Sequence, residues 1–161
     1  MAIDRLDAIR PDLTLVSMSR IAIHPLDPSE DTVAAKGAAV ARMVSRIPGR
    51  VAILVDTPYA GRDIPACLSM HADDVSDCAI PKAVAFTDRL GGLETVAAAA
   101  SGASRIDLTK RICIANPCPV VVNGMIVFRD IGHLTATFAR SLAPALDDAI
   151  RAILLAAPGA G

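Results

Sequence analysis

Apolar and polar positions fall into blocks with two different periods. Val51-Ala-Ile-Leu-Val55 is unbroken apolar text, the mark of a strand covered on both faces. Leu13-Thr-Leu-Val16, after Pro11-Asp12, predicts a short buried strand running on to Ser17-Met18-Ser19-Arg20. Between these two strands, Val33, Gly37, Val40, Val44 and Ile47 recur at helical spacing until Pro48-Gly49 stops the run. The start of that helix reads as Asp27-Pro28-Ser29-Glu30, with Asp27 as cap, Pro28 at the first helical position and Glu30 completing a capping box. Residues 1–10 are charged and amphipathic and predict a short helix.

The second half repeats the pattern. Residues 84–100 predict one alanine-rich helix ending at Ser101-Gly102, and Arg105-Ile-Asp-Leu108 predicts a further strand. Pro119-Val-Val-Val122 and Met125-Ile-Val-Phe128 flank Asn123-Gly124, the strongest local signal of a two-residue hairpin turn. Leu134 to Ala157 predicts a helix with Phe138, Leu142, Leu146 and Ile150 on one face, and Pro144 must kink it or begin a second helix. Pro158 to Gly161 predicts a disordered tail. Residues 56–81 hold four prolines or glycines spaced through irregular text together with Cys67 and Cys78, a long connection of the kind that is functional or stapled.

Strands alternating with helices predict an α/β domain with a mostly parallel sheet. Only two parallel strands are convincing, against the five or so of an average sheet. The sheet reads as incomplete on its N-terminal side.

Composition narrows the function classes. With 161 residues the chain can bury a core as one domain. Lys and Arg number 16 against 17 Asp and Glu, a net charge of −1, so no basic stripe points to nucleic acid. Tyr59, Phe86, Phe128 and Phe138 are the only aromatics, too few for base-stacking platforms. No apolar run reaches the roughly 18 residues that cross a bilayer, and the N-terminus has no apolar core of a secretory signal.

Cys67, Cys78, Cys113 and Cys118 lie in Pro-rich or Asp-rich text and allow three pairings. Two disulfides, four reduced thiols and a metal site are all open from the residues. Zinc has the least support, because neither Cys-x2-Cys nor His-x3-His spacing occurs. Disulfides require an oxidising compartment, which no signal in this chain reaches.

Candidate chemistry concentrates in Phe128-Arg129-Asp130-Ile131-Gly132-His133-Leu134-Thr135. Asp130 and His133 stand three apart where a strand gives way to a helix, and one helical turn would put both on the same side. A carboxylate accepting from imidazole Nδ1–H fixes the tautomer and leaves the other nitrogen as a base. The bland alternative is an Asp capping a helix beside a chance His. His24 and His71 read as surface residues. Asp56 ends an apolar strand like the metal-holding Asp of nucleotide enzymes, but no Gly-x4-Gly-Lys-[Ser/Thr] accompanies it.

Arg129-Asp130 through His133-Leu-Thr-Ala-Thr-Phe-Ala-Arg-Ser-Leu-Ala-Pro-Ala-Leu146 resembles the closing motif of the SGNH (GDSL-like) hydrolase superfamily. The resemblance is closest to the SGNH domain fused behind the membrane module of bacterial O-acyltransferases. It spans nearly the whole chain. It implies an incomplete flavodoxin-like (SGNH-type) α/β three-layer sandwich with a mostly parallel sheet and an added β-hairpin. It implies Asp130 and His133 as acid and base of a Ser-His-Asp triad, and disulfides Cys67–Cys78 and Cys113–Cys118. It calls for no cofactor and no metal. Pro11 to Arg20 is similar to the family's third-strand segment, which ends near an oxyanion-donating Asn; Ser19 and Arg20 stand roughly at that place.

The departures are equally specific. No Gly-Asp-Ser nucleophile motif occurs here, nor an upstream strand to carry one. By the family pattern, residues 1–157 are a single SGNH-like domain lacking its N-terminal nucleophile block, with residues 158–161 as tail. Three functions follow as expectations. The chain is the C-terminal portion of an acyl-transfer or esterase domain acting on O-acyl groups of cell-surface carbohydrate, its serine coming from a longer reading frame or a second polypeptide. Alternatively it is a non-catalytic remnant or interaction domain. Or a strand-end serine, Ser17 or Ser19, replaces the nucleophile. The resemblance implies an acyl ester or surface-glycan substrate, an upstream membrane acyltransferase module and an extracytoplasmic location; a truly free-standing chain would be cytoplasmic.

Overall fold

A parallel sheet is built where the sequence is most apolar. In a computed structural model the described residues are 2–19, 32–86 and 92–156. Strands β1 (Thr14–Ser17), β2 (Val51–Leu54) and β3 (Ser104–Ile106) form a three-stranded parallel sheet in the order β1-β2-β3. Thr14 pairs with Val51 and Ser17 with Leu54, while Ala52 pairs with Ser104. Central β2 is buried along Val51, Ala52 and Ile53, as unbroken apolar text requires. β1 differs from its expected burial: Leu15 and Ser17 are exposed and only Thr14 and Val16 are half-covered. It is a strand with one protected face.

The chain divides into two compact units. The first comprises Met1–Asp56, Gly91–Asp107 and Asp148–Gly161, and the second Thr57–Leu90 and Leu108–Asp147. In the first unit, helix α1 (Ala2–Ile9) precedes β1, and α2 (Val33–Val44) connects β1 to β2. The observed α2 starts later than the Asp27 cap implied, because Thr32 is its N-cap and accepts from the Ala35 N–H at 3.1 Å. Residues 27–30 lie outside the described residues, as do His24 and the tail 158–161. Helix α5 (Gly92–Ser101) packs on α2, and Val40, Val44, Ile53, Leu93 and Ala97 form the core of this unit. Gly37 permits the close approach, since a Cβ there would stand 2.5 Å from the Cβ of Val96.

The alanine-rich helix expected over 84–100 is not continuous. Helix α4 (Lys82–Ala85) ends at its C-cap Phe86, α5 is Gly92–Ser101, and residues 87–91 lie outside the described residues. Glu94 is fully buried in α5 and accepts the Asp56 N–H at the end of β2 (3.1 Å).

In the second unit, residues 56–81 are less irregular than their composition suggests. Asp63 caps α3 (Ile64–Met70), accepting from the Ala66 N–H at 2.9 Å with Pro65 in the first turn. A 3₁₀ turn (Val75–Cys78) follows. The four cysteines form disulfides Cys67–Cys78 and Cys113–Cys118. All four are buried, at 6% exposure or less, and belong to the core rather than to exposed loops. Helix α6 (Thr109–Ile112) leads into the second bridge. Strands β4 (Val121–Val122) and β5 (Met125–Ile126) form the antiparallel hairpin, and Asn123 and Gly124 both take positive φ, at 49° and 72°, as a type I′ turn demands. The fold is thus α/β, with a parallel sheet and an added hairpin.

The C-terminal helix is two helices, α7 (Ala136–Ser141) and α8 (Ala143–Leu155), with Pro144 in the first turn of the second. Leu134 is not helical; it bridges Phe128. Among the described residues no helix is long and apolar enough to cross a membrane.

Candidate active site

Asp130 and His133 meet in a closed loop, not on a helical turn. Phe128, 1% exposed, anchors one side of the loop in the core, and the bridge from Phe128 to Leu134 brings the other side back. The Arg129 N–H donates to the His133 carbonyl at 2.9 Å across that neck. Beyond it, the Thr135 N–H donates to the Val127 carbonyl (2.9 Å) and the Thr135 hydroxyl to the Ile126 carbonyl (2.6 Å). Thr135 also caps α7 by accepting from the Phe138 N–H at 3.1 Å. The helix therefore begins three residues after His133, and the helical-turn rationale for the pair gives way to a loop one.

Inside the loop the carboxylate organises everything. Asp130 Oδ1 accepts from the N–H of Gly132 (2.9 Å) and of His133 (2.8 Å), a short-range side-chain turn that Asp favours. His133 Nδ1 lies 2.9 Å from both Oδ1 and Oδ2. An ionised carboxylate only accepts, so the shared proton sits on Nδ1, and in the neutral ring Nε2 carries the lone pair. The His133 side chain is 70% exposed and that of Asp130 36%, so the ring is accessible while the acid is partly shielded. Chiefly the Gly132 N–H, and then the His133 N–H and ring, hold the Asp130 carboxyl down to about 2 against a smaller opposing effect of desolvation. Arg129 Nε approaches Oδ2 at 3.4 Å.

Two residues that no motif marks complete the site. The Ala60 N–H donates to the Ile131 carbonyl at 3.1 Å, and the Thr57 hydroxyl to the Gly132 carbonyl at 3.3 Å. Their partners lie some seventy residues away in sequence, beyond the reach of any spacing rule.

The other candidate residues fall elsewhere. Ser17 ends β1 and Ser19 follows it, both exposed and both in the first unit. Arg20 lies outside the described residues. His71 caps α3 and faces Asp77 Oδ2 at 3.2 Å on the surface. No cluster of metal-ligating side chains occurs among the described residues. A cleft in the first unit lined by Leu6, Asp7, Arg10, Pro11, Pro48 and Gly49 brings together no nucleophile and base.

The family model described as SGNH domain (fused to AT3 domains) matches residues 2–148. The chain belongs to this family. Comparison with curated proteins gives no match. Among solved structures, this SGNH domain is similar to the lipopolysaccharide acetyltransferase periplasmic domain of Salmonella ser. Paratyphi A. The TM-score is 0.61 at 16% sequence identity, covering 92% of this chain and 60% of that one. At that identity the likeness is one of fold. The SGNH domain described here spans about 60% of the length of that structure.

Proposed function

We propose that this chain supplies the acid–base half of an SGNH acyl-transfer or ester-hydrolysing site that acts on O-acyl groups of cell-surface carbohydrate. The observation that carries the reading is the Asp130–His133 contact: Nδ1 is held at 2.9 Å by a carboxylate, in an exposed ring whose Nε2 is left to take a proton. In this reading His133 takes the proton of a serine hydroxyl as that serine attacks the acyl carbonyl. It gives that proton to the departing alcohol as the acyl-serine forms. It then takes a proton from the accepting alcohol or water that attacks the acyl-serine and returns it to the serine, and Asp130 stabilises the imidazolium in each half. No Gly-Asp-Ser is present, so the serine is contributed from outside these 161 residues, and residues 1–157 act as one domain with that contribution. Family membership, the fold likeness to an acetyltransferase periplasmic domain, and two buried disulfides support a sugar acylation role outside the cytoplasm, next to a membrane acyltransferase module.

The missing Gly-Asp-Ser also favours a second reading, a non-catalytic interaction domain. Joining the chain to a Gly-Asp-Ser-bearing segment and assaying acetyl-ester hydrolysis and transfer separates the two. His133→Ala is expected to cut the rate by several orders of magnitude, as loss of a triad base does. Little change would remove His133 from the mechanism. The isolated chain is expected to resist a serine-reactive fluorophosphonate, and labelling abolished by Ser19→Ala would instead make a strand-end serine the nucleophile.

A further inference from the structure

The two peptide groups that bind Asp130 are themselves held from behind. The Ile131 carbonyl and the Gly132 N–H belong to one planar amide, and the Gly132 carbonyl and the His133 N–H to the next. Both N–H groups donate to Asp130 Oδ1, at 2.9 and 2.8 Å. Both carbonyls accept from one short segment, the first from the Ala60 N–H at 3.1 Å and the second from the Thr57 hydroxyl at 3.3 Å. An amide anchored by its carbonyl cannot swing its N–H away, and the engaged carbonyl polarises that N–H toward stronger donation.

We infer that Thr57 is a positioning residue for the Asp130–His133 pair, acting through the Gly132–His133 peptide rather than by touching either side chain. The inference rests on the proposed base role of that pair for its catalytic meaning, but not for its geometry. The segment that carries Thr57 is firmly placed, because the Tyr59 N–H donates to the Ala85 carbonyl at 3.1 Å and Ala60 is buried in the core. Ala60 acts through its backbone, which side-chain exchange leaves in place. Thr57 acts through a hydroxyl, so it is the part of the device that substitution can remove.

Thr57→Val keeps the branched shape and deletes the hydroxyl, whereas Thr57→Ser keeps the hydroxyl and deletes the methyl. The first readout is the titration of the Asp130 carboxyl by carbon NMR in the 161-residue chain. Arg129 and the His133 ring are the charged groups beside that carboxyl, and neither is altered by these substitutions. Thr57→Val is expected to move the midpoint from about 2 toward the ordinary value of 3.8, and Thr57→Ser to leave it near the wild-type position. An unmoved midpoint in folded Thr57→Val overturns the inference; should that variant fail to fold, Thr57→Ala carries the same test. The second readout is kcat in the serine-bearing protein, expected to fall about three- to tenfold in Thr57→Val with KM unchanged, the size of one lost hydrogen bond. If the midpoint moves but His133→Ala leaves activity intact, the positioning role stands and the catalytic reading falls. If the midpoint is static and His133→Ala abolishes activity, the positioning role falls and the catalytic reading stands.

Discussion

Asp130 Oδ1 lies 2.8 Å from the backbone nitrogen of His133 and 2.9 Å from ring Nδ1 of the same residue, so one carboxylate oxygen holds both the main chain and the side chain of the histidine. The arrangement is self-contained, since the acid that orients the ring also shapes the loop that presents it. It has a consequence for pH. The Asp130 carboxyl is depressed from 3.8 to about 2, chiefly by the Gly132 N–H. A depressed carboxyl contributes its stabilisation in full above its unfolded value, and the contribution is lost as pH falls through the folded one. The stabilisation that the Asp130 carboxylate gives the loop is therefore expected to be full from neutral pH down to the unfolded value of 3.8 and to be lost as pH falls from there toward 2. Carbon NMR of the Asp130 carboxyl between pH 1 and 7 measures this. A midpoint at 3.8 or above would mean that the two backbone bonds are not made in solution.

The parts of this site legible in the sequence are those that act over short range. Asn123-Gly124 announced its turn because only a few residue types accept two successive positive φ angles. Val51 to Leu54 announced a buried strand because no polar residue interrupts it. Spacing and resemblance both mark Asp130 and His133, but the helical turn that the spacing implies is a loop in the chain. The helix hypothesis failed because Phe128 and Leu134 pair across the segment, a contact that periodicity cannot reveal. Thr57 was invisible for the same reason: its partner is 75 residues on. Glu94 left a fainter trace, a single acid inside alanine-rich text; buried in α5, it accepts the Asp56 N–H through Oε1, while Oε2 has no hydrogen-bond partner among the described residues. The cysteines misled in one respect. Their polar neighbours suggested exposed loops, whereas the sulfur atoms are buried and the neighbours face water.

Those two bridges should contribute unequally. Cys67 and Cys78 are 11 residues apart and Cys113 and Cys118 only 5, so the first restricts the unfolded chain more. Loop-closure entropy gives roughly 3 kcal/mol for the longer bridge and roughly 2 kcal/mol for the shorter. Replacing Cys67 and Cys78 together by Ala is expected to lower stability more than replacing Cys113 and Cys118, as urea unfolding midpoints would show. Free-thiol titration of protein taken from its native compartment should find none of the four reactive. Four reactive thiols there would place the chain in a reducing compartment and count against a role outside the cytoplasm.

A second stability test concerns the close crossing in the first unit. Gly37 lies on the face of α2 that meets α5, where a Cβ would stand 2.5 Å from the Cβ of Val96 and 3.1 Å from the Leu93 carbonyl. Neither contact can be relieved by turning a side chain, because a Cβ is fixed to its backbone. Gly37→Ala gains about 1 kcal/mol of intrinsic helix propensity. Against this, overpacking costs about 1–3 kcal/mol, and here it forces apart helices whose contact buries Leu93 and Ala97. The clash is expected to win, with a net loss of up to about 2 kcal/mol in chemical denaturation, and Gly37→Val should lose more because it adds bulk with a smaller propensity gain. If Gly37→Ala were instead more stable than the wild type, the two helices would have to stand further apart than this packing allows.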